Sequence, residues 1–225
     1  MFGLYLYNVQ YLGVKHNKNN GVYIEATDGV LYTNSSWDTT KIANGIVIIT
    51  DKISIRMALV GENKSIEISY TSYDTSQPSF ATSEDAMNDF DGRINTGYIL
   101  TQNGRASHFD DVTYAAPYVK TYVFPDGVTT NGYILSVGEW NEIALYAEEV
   151  NNCLTKVGGV SIKRNNWTST HLRAHGAYPI YYWCSINNSY TASYPAHAGY
   201  RGIDGLYTSA RPCTTYINDN PIIIT

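Results

Sequence analysis

The chain of 225 residues carries 20 acidic against 15 basic side chains, a formal charge of -5, with 44% hydrophobic residues. That is enough apolar material to bury a core as one large or two small domains, of which one is the default. The acidic balance provides no basic stripe to neutralise phosphates, which excludes a nucleic-acid surface, and no run approaches the roughly 18 consecutive apolar residues of a membrane span.

The opening MFGLYLYNVQYLGVKHNKNN has no basic region before its apolar residues and no small-residue cleavage site, so it is read as an N-terminal arm or attachment segment over 1–20 rather than a signal peptide. A domain over 21–225 follows. GVYIEATDGVLYT sets two β-rich runs around Asp28-Gly29, a pair that tolerates the positive φ of a hairpin turn. GIVIITDKISIRMALV and SIEISY supply further β-branched runs, while residues 41–45 and 71–83 are expected to be connectors. In SEDAMNDFDGRINTGYIL, the residues Asp89, Asp91 and Asn95 offer oxygen ligands, but the third early ligand and the distal bidentate Glu of a calcium loop are missing. A turn leading into a helix capped by Asn95 or Thr96 is expected instead. YAAPYVKTYVF reads as a shorter helix whose start is limited by Pro117.

SVGEWNEIALYAEEVNNCLTKVGG carries the clearest local signal. Ser136 and Glu139 form an S-x-x-E capping box, in which each side chain satisfies a backbone donor at the helix start. Trp140, Ile143, Ala144, Ala147, Val150 and Leu154 then recur at helical spacing, and Gly158-Gly159 supplies a left-handed stop. One amphipathic helix packed on a sheet, with a break near Ala147, is expected. Beyond Trp167 come the β-like pieces YPIYYWCSI and GLYTSARPCTTYI, separated by a long segment of Gly, Ser, Asn and Tyr. Strands, then helices, then strands and loops make an α+β pattern.

The charge is unevenly spread. Residues 1–163 hold 8 Lys, 3 Arg, 10 Asp and 8 Glu, a net -7; residues 164–225 hold 4 Arg and 2 Asp, a net +2. No Lys, Glu, Gln or Met stands after residue 163, although the first part contains 22 of them and its composition would place about eight there. A buried, turn-rich β region that avoids long charged side chains is one explanation. Against it, an ordinary core would hold more Leu, Val and Ile and fewer His, Asn and Ser.

Several chemistries lack their residues. Cys153, Cys184 and Cys213 match neither a disulfide framework nor a metal-ligand spacing, and are read as buried free thiols. No G-x-S-x-G, CxxC or HExxH occurs. His171 and His175 would share a helix face, but Gly176 and Pro179 argue against a helix there, so zinc or copper is not expected. The chain is read as a non-enzyme that needs no cofactor.

The ordered blocks GYILSVGEWNEI, Gly158-Gly159, NNWTST, the Tyr-Trp strand and YTSARPC, preceded by DGVLYT, Trp37, ANGIVIITD and DFDGRINT, resemble a C-type lectin-fold family. That group is related to the formylglycine-generating enzymes and common in gut Bacteroides and their phages. The likeness runs over most of residues 21–213. It implies an α+β C-type lectin fold, strands with two packed helices and a loop-rich C-terminal variable region over about 166–213.

Within the family the chain resembles a variable protein of a diversity-generating retroelement. Such systems rewrite adenines at the 3′ end of a gene, and AAY codons become NNY codons, which cannot encode Lys, Glu, Gln, Met or Trp. The resemblance therefore implies the missing residues noted above, with Trp167 and Trp183 falling in fixed blocks. Formylglycine-generating relatives work through a late cysteine pair; Cys184 and Cys213 correspond only in number, which puts that activity in doubt. The E-P-N and W-N-D calcium-lectin motifs are absent, and WNE at Trp140–Glu142 lies inside the capped helix.

What the residues favour is direct recognition by an exposed surface. Tyr offers a rigid contact area with a polar tip, while Ser, Asn and Gly adapt their hydrogen bonds, the chemistry of an antibody paratope. The candidate contact residues are His171, Arg173, His175, Tyr178, Asn187, Asn188, Tyr190, Tyr194, His197 and Tyr200. Tyr181 and Tyr182 are adjacent in an alternating strand, so one of them is expected to face inward. Trp140, Trp167, Ser169, Trp183, Arg211 and Pro212 are read as the frame. The expected role is a phage receptor-binding or tail adhesin, or a bacterial surface-display protein, recognising a cell-surface protein or glycan, with a homotrimer as the expected assembly if the chain follows other tail adhesins. A fixed-specificity adhesin of the same fold, or an enzyme of the formylglycine-generating type, are the alternatives.

Overall fold

A computed structural model describes residues 20–61, 79–103, 114–128, 131–162, 165–173, 179–185, 195–197, 209–218 and 220–225. Along the chain these form β1 (Gly21–Ala26), β2 (Leu31–Tyr32), β3 (Ala43–Ile49), β4 (Ser54–Met57), α1 (Ser83–Ala86), α2 (Gly92–Asn103) and α3 (Ala115–Thr121). Then come α4 (Val137–Ala144), α5 (Ala147–Lys156), β5 (Asn165–Arg173), β6 (Pro179–Ser185), β7 (Pro195–His197), β8 (Cys213–Thr215) and β9 (Ile223–Ile224). The chain is mixed α+β, with a six-stranded sheet ordered β8-β4-β3-β1-β2-β9 and a three-stranded sheet ordered β5-β6-β7. Five helices stand among the described residues, against the two implied by the resemblance.

The hairpin forms where Asp28-Gly29 predicts it. Gly29 takes φ +82° and donates its N–H to Ala26 O at 2.9 Å, while Asp28 Oδ1 accepts the Val30 N–H at 3.2 Å. β1 pairs antiparallel with β2 on one side and β3 on the other, and β3 pairs antiparallel with β4. The late strands close the sheet at both edges, β8 antiparallel to β4 and β9 parallel to β2. The connector expected over residues 41–45 ends at Ile42. Ala43, Asn44 and Gly45 belong to β3 because Gly45 can sit against Met57 O, where a Cβ would be only 2.9 Å away, and because the side chain of Asn44 finds buried partners. Of the other expected pieces, SIEISY and residues 71–78 lie outside the described residues.

Alternation along these strands sorts the two faces. Val22, Ile24, Ile46, Ile48, Ile55 and Met57 pack with Trp140, Ile143, Val150 and Leu154 of the paired helices. The expected helix divides as its sequence suggests, Leu145 and Tyr146 separating α4 from α5. At its end Gly158 adopts φ +72° and Gly159 donates its N–H to Leu154 O at 2.8 Å. The opposite face of the sheet holds a polar group. Glu25 is 1% exposed and is paired with the Arg56 guanidinium, whose Nη2 donates to Oε1 at 2.6 Å while Nε lies 2.5 Å from Oε2. Asn44 Nδ2 donates to both Glu25 and Asp126, and the Phe124 and Tyr216 rings lie 5.5 and 5.9 Å from the guanidinium carbon.

The helix expected to be capped by Asn95 or Thr96 begins earlier, at Gly92. Asp89 takes the polar role ahead of it: Oδ1 accepts the Asp91 N–H at 2.9 Å and Oδ2 accepts Asn95 Nδ2 at 2.8 Å. Asn95 and Thr96 are therefore buried within α2, Thr96 Oγ1 donating to Gly92 O at 2.8 Å and accepting the Ile134 N–H at 2.9 Å. In α3, Pro117 sits in the first turn, where an N–H would have no intrahelical acceptor.

Candidate ligand-binding site

The stretch that lacks Lys, Glu, Gln and Met enters the fold along β5 and rejoins the six-stranded sheet at β8 and β9. The first half of β5 is fully enclosed, with Asn166, Trp167, Thr168, Ser169 and Thr170 all buried. Enclosure follows from what the neighbouring capped helix offers. Glu139 Oε2 accepts the Ser136 N–H at 2.7 Å, and Ser136 Oγ donates to Asp89 O at 2.6 Å, which ties the α4 start to the turn before α2. Gly92 is required there, because a Cβ would overlap Glu139 Oε2 and Ser136 N.

β5 docks onto this knot through three bonds. Ser169 donates its N–H to Leu135 O at 2.9 Å, Thr170 Oγ1 accepts the Val137 N–H at 2.8 Å, and Trp140 Nε1 donates to Trp167 O at 3.1 Å. Thr170 also bonds the Asp89 carboxylate, although burial dominates there and pushes the Asp89 pKa up. The docking distorts the strand pairing. Trp167 lies across from Trp183 and His171 across from Tyr181, so four steps along β5 match two along β6. Within this excursion Ser169 and Thr170 make their bonds to Leu135 and Val137.

A second junction closes the segment. Trp167 donates its N–H to Ser209 O at 2.9 Å, and Asn166 and Ser209 form a parallel bridge. Immediately after it, Arg211 is buried and donates to Ala58 O at 2.8 Å and Val160 O at 2.7 Å, while Pro212 O accepts the Ala58 N–H at 2.9 Å. The chain between Trp167 and Ser209 thus starts and returns at one fixed place.

The three-stranded sheet arises between these junctions. Backbone register sets His171, Tyr181 and Ala196 in one row, Leu172, Ile180 and His197 in the next, and Arg173 opposite Pro179 in the third. Successive rows belong to opposite faces of a sheet. His171 and Arg173 therefore hold positions on one face with Tyr181, and His197 holds a position on the other with Tyr182. His175, Tyr178, Asn187, Asn188, Tyr190, Tyr194 and Tyr200 lie outside the described residues.

The frame residues fare as their types suggest. Trp140, Trp167, Ser169, Arg211 and Pro212 are buried, and Trp183 occupies the register position opposite Trp167. Sequence reasoning missed Thr170, whose Oγ1 joins β5 to Val137 and Asp89; a hydroxyl between Ser169 and His171 carries no signal of such distant partners. Cys153 and Cys213 are buried free thiols. Burial pushes the Cys153 thiol up to about 11 and raises Cys213 further, so neither is poised as a thiolate at neutral pH. Among the described residues no three His, Cys, Asp or Glu side chains gather as a metal site, and no helix is long and apolar enough to cross a membrane.

Comparison of the chain with protein-family models, with curated proteins and with solved structures finds no match.

Proposed function

We propose that the chain is a hypervariable ligand-binding protein of C-type lectin fold, diversified by a retroelement, whose variable segment recognises a cell-surface protein or glycan. The observation that carries this reading is a coincidence of two boundaries. The loss of Lys, Glu, Gln and Met begins at residue 164, and the buried junction that fixes the segment's two ends lies at Trp167 and Ser209. A segment anchored at its base by enclosed backbone can change its side chains without unfolding its support. Its Tyr, Asn, Ser, His and Arg content supplies contact area and adaptable hydrogen bonds, so binding requires no metal or cofactor.

The proposed setting is a phage tail or a bacterial surface, where assembly of several copies multiplies a modest single-site affinity. Sequencing the locus across related isolates tests the reading. Substitutions should concentrate between residues 171 and 208 and spare Trp167, Thr170 and Arg211, and a near-copy of the 3′ coding segment differing at adenines should lie beside a reverse transcriptase gene. Substitutions spread evenly along the chain, with no such copy, would refute it.

A further inference from the structure

Two carboxylic acids are enclosed where β5 docks. Asp89, in the turn ahead of α2, is 3% exposed, and Glu139, in the first turn of α4, is 6% exposed. Both residues meet the buried Ser136 hydroxyl, whose Oγ lies 2.6 Å from Asp89 O and 3.0 Å from Glu139 Oε2. A serine hydroxyl has one hydrogen to give. The shorter contact takes it, so the longer one is a hydrogen bond only when Glu139 carries a proton on Oε2 and donates it to Oγ. Asp89 is the acid that β5 covers, since its carboxyl group accepts from the Thr170 hydroxyl as well as from the Asp91 N–H and the Asn95 amide.

A buried charge is tolerated where a cation answers it. Among the described residues none does so here. The donors to the pair, from Ser136, Tyr133, Asp91, Asn95 and Thr170, are neutral. On the side of α1 and α2, Glu84, Asp85, Asp91 and Arg93 are exposed, and the one charged neighbour that acts on Asp89 is the acid Asp91. On α4 itself, Glu142 is paired with Lys52; on the side of β8, burial keeps Cys213 a neutral thiol, and the Arg211 guanidinium is held by the Ala58 and Val160 carbonyls. β5 has no titratable residue before His171, and β6 has only tyrosines and Cys184. Burial raises both acids above their ordinary pKa values, and with the Asp89 charge adding to it brings Glu139 to about 7.

We propose that Asp89 and Glu139 form a pH-sensitive latch on the recognition segment: while the pair keeps a proton β5 stays docked on the start of α4, and when both acids are charged β5 is released more readily. Release of Thr170 admits water to Asp89, and the charged pair gains more from that hydration than the protonated one. The latch rests on the proposed function only in naming what β5 carries.

Hydrogen exchange of the ligand-free full chain, followed by NMR and corrected for the intrinsic pH dependence of exchange, tests it. The reporters are the N–H groups that join β5 to its dock, on Val137, Ser169 and the Trp140 indole. Their opening constants should exceed those of the β1–β3 ladder about tenfold or more, which separates release of β5 from global unfolding. They should rise by up to about tenfold per pH unit between about 4.5 and 7 and level off above. Glu139→Gln should flatten the rise, and Asp89→Asn should move its midpoint to lower pH by removing the charge that opposes ionisation of Glu139. Opening no faster than in the ladder, a flat wild-type profile, a rise that survives Glu139→Gln, or a midpoint unmoved by Asp89→Asn would each overturn the proposal. No ligand enters the measurement, so failure of the latch and failure of the binding reading are told apart.

Discussion

Replacing Glu139 by Gln probes the knot that supports β5. The Glu139 carboxylate is 6% exposed, accepts the Ser136 N–H at 2.7 Å and lies 3.3 Å from the Tyr133 hydroxyl, with no basic side chain among these partners. Burial pushes its pKa from the ordinary 4.5 up to about 7, the bonds from Ser136 oppose the rise, and the neighbouring Asp89 charge adds to it. Because the folded-state value lies above the unfolded one, folding favours the protonated acid. Its stabilising contribution is complete below about pH 4.5 and is lost as pH rises through about 7, a change of about 3 kcal/mol over the window. Glu139→Gln keeps the shape and a carbonyl oxygen for Ser136 but cannot ionise. Urea unfolding at a series of pH values from 4.5 to 8 reads the difference: the variant should gain on the wild type by about 3 kcal/mol as pH rises. Asp28 and Asp38 do not confuse the result. Side-chain bonds from Lys41 and Thr40 hold their pKa values below the ordinary 3.8, so their contributions are lost only as pH falls beneath the window. Parallel stability curves, or a wild type that gains on the variant with rising pH, would refute the assignment.

Trp167→Ala should cost about 3 to 5 kcal/mol in urea unfolding, the range for a large buried aromatic, whereas replacing Tyr190, Tyr194 and Tyr200 together by Ala should abolish partner binding and leave the melting temperature nearly unchanged. The reverse pattern would overturn the division into frame and surface. Arg56→Ala should cost about 3 to 5 kcal/mol, because it leaves the Glu25 carboxylate buried without its cation. The double variant Glu25→Gln with Arg56→Met should recover much of that loss by chemical denaturation; a double variant as unstable as the single one would show that packing, rather than the orphaned charge, sets the cost.

Local signals were legible where a few neighbouring residues decide the outcome. Asp28-Gly29 determines its turn through φ and a side-chain bond, and Ser136 with Glu139 determines a helix start within a single turn. The break expected near Ala147 falls at Leu145 and Tyr146, just ahead of it. Misreadings arose where a distant partner outbid local preference. Asn95 and Thr96 are good capping residues, but Asp89 and Ile134 take their side chains inside the fold. Asn44 and Gly45 look like a turn, yet a buried carboxylate and a close backbone draw them into β3. The excursion of β5 was invisible for the same reason, since it depends on donors and acceptors at 135–137 that no spacing connects to NNWTST.

That excursion also decides which positions of the segment can change. Ser169 and Trp167 contribute their main-chain groups to Leu135, Ser209 and Trp140, and any residue but proline possesses those groups. What constrains side-chain choice at the base is enclosure, which penalises a large or charged replacement at Thr168 or Ser169, and the Thr170 hydroxyl, whose loss would leave the Val137 N–H buried without its acceptor. From His171 to Arg173 the main chain pairs again with β6. Under the proposed function, tolerance should rise beyond Thr170, the last residue of β5 whose enclosure ties it to the frame. On the returning side it should fall again at Ser209, because Arg211 is held by carbonyls from Ala58 and Val160 that only a long, multiply donating side chain can reach. Under the proposed function, the boundary of diversification is thus set by where the backbone stops being shared with the frame.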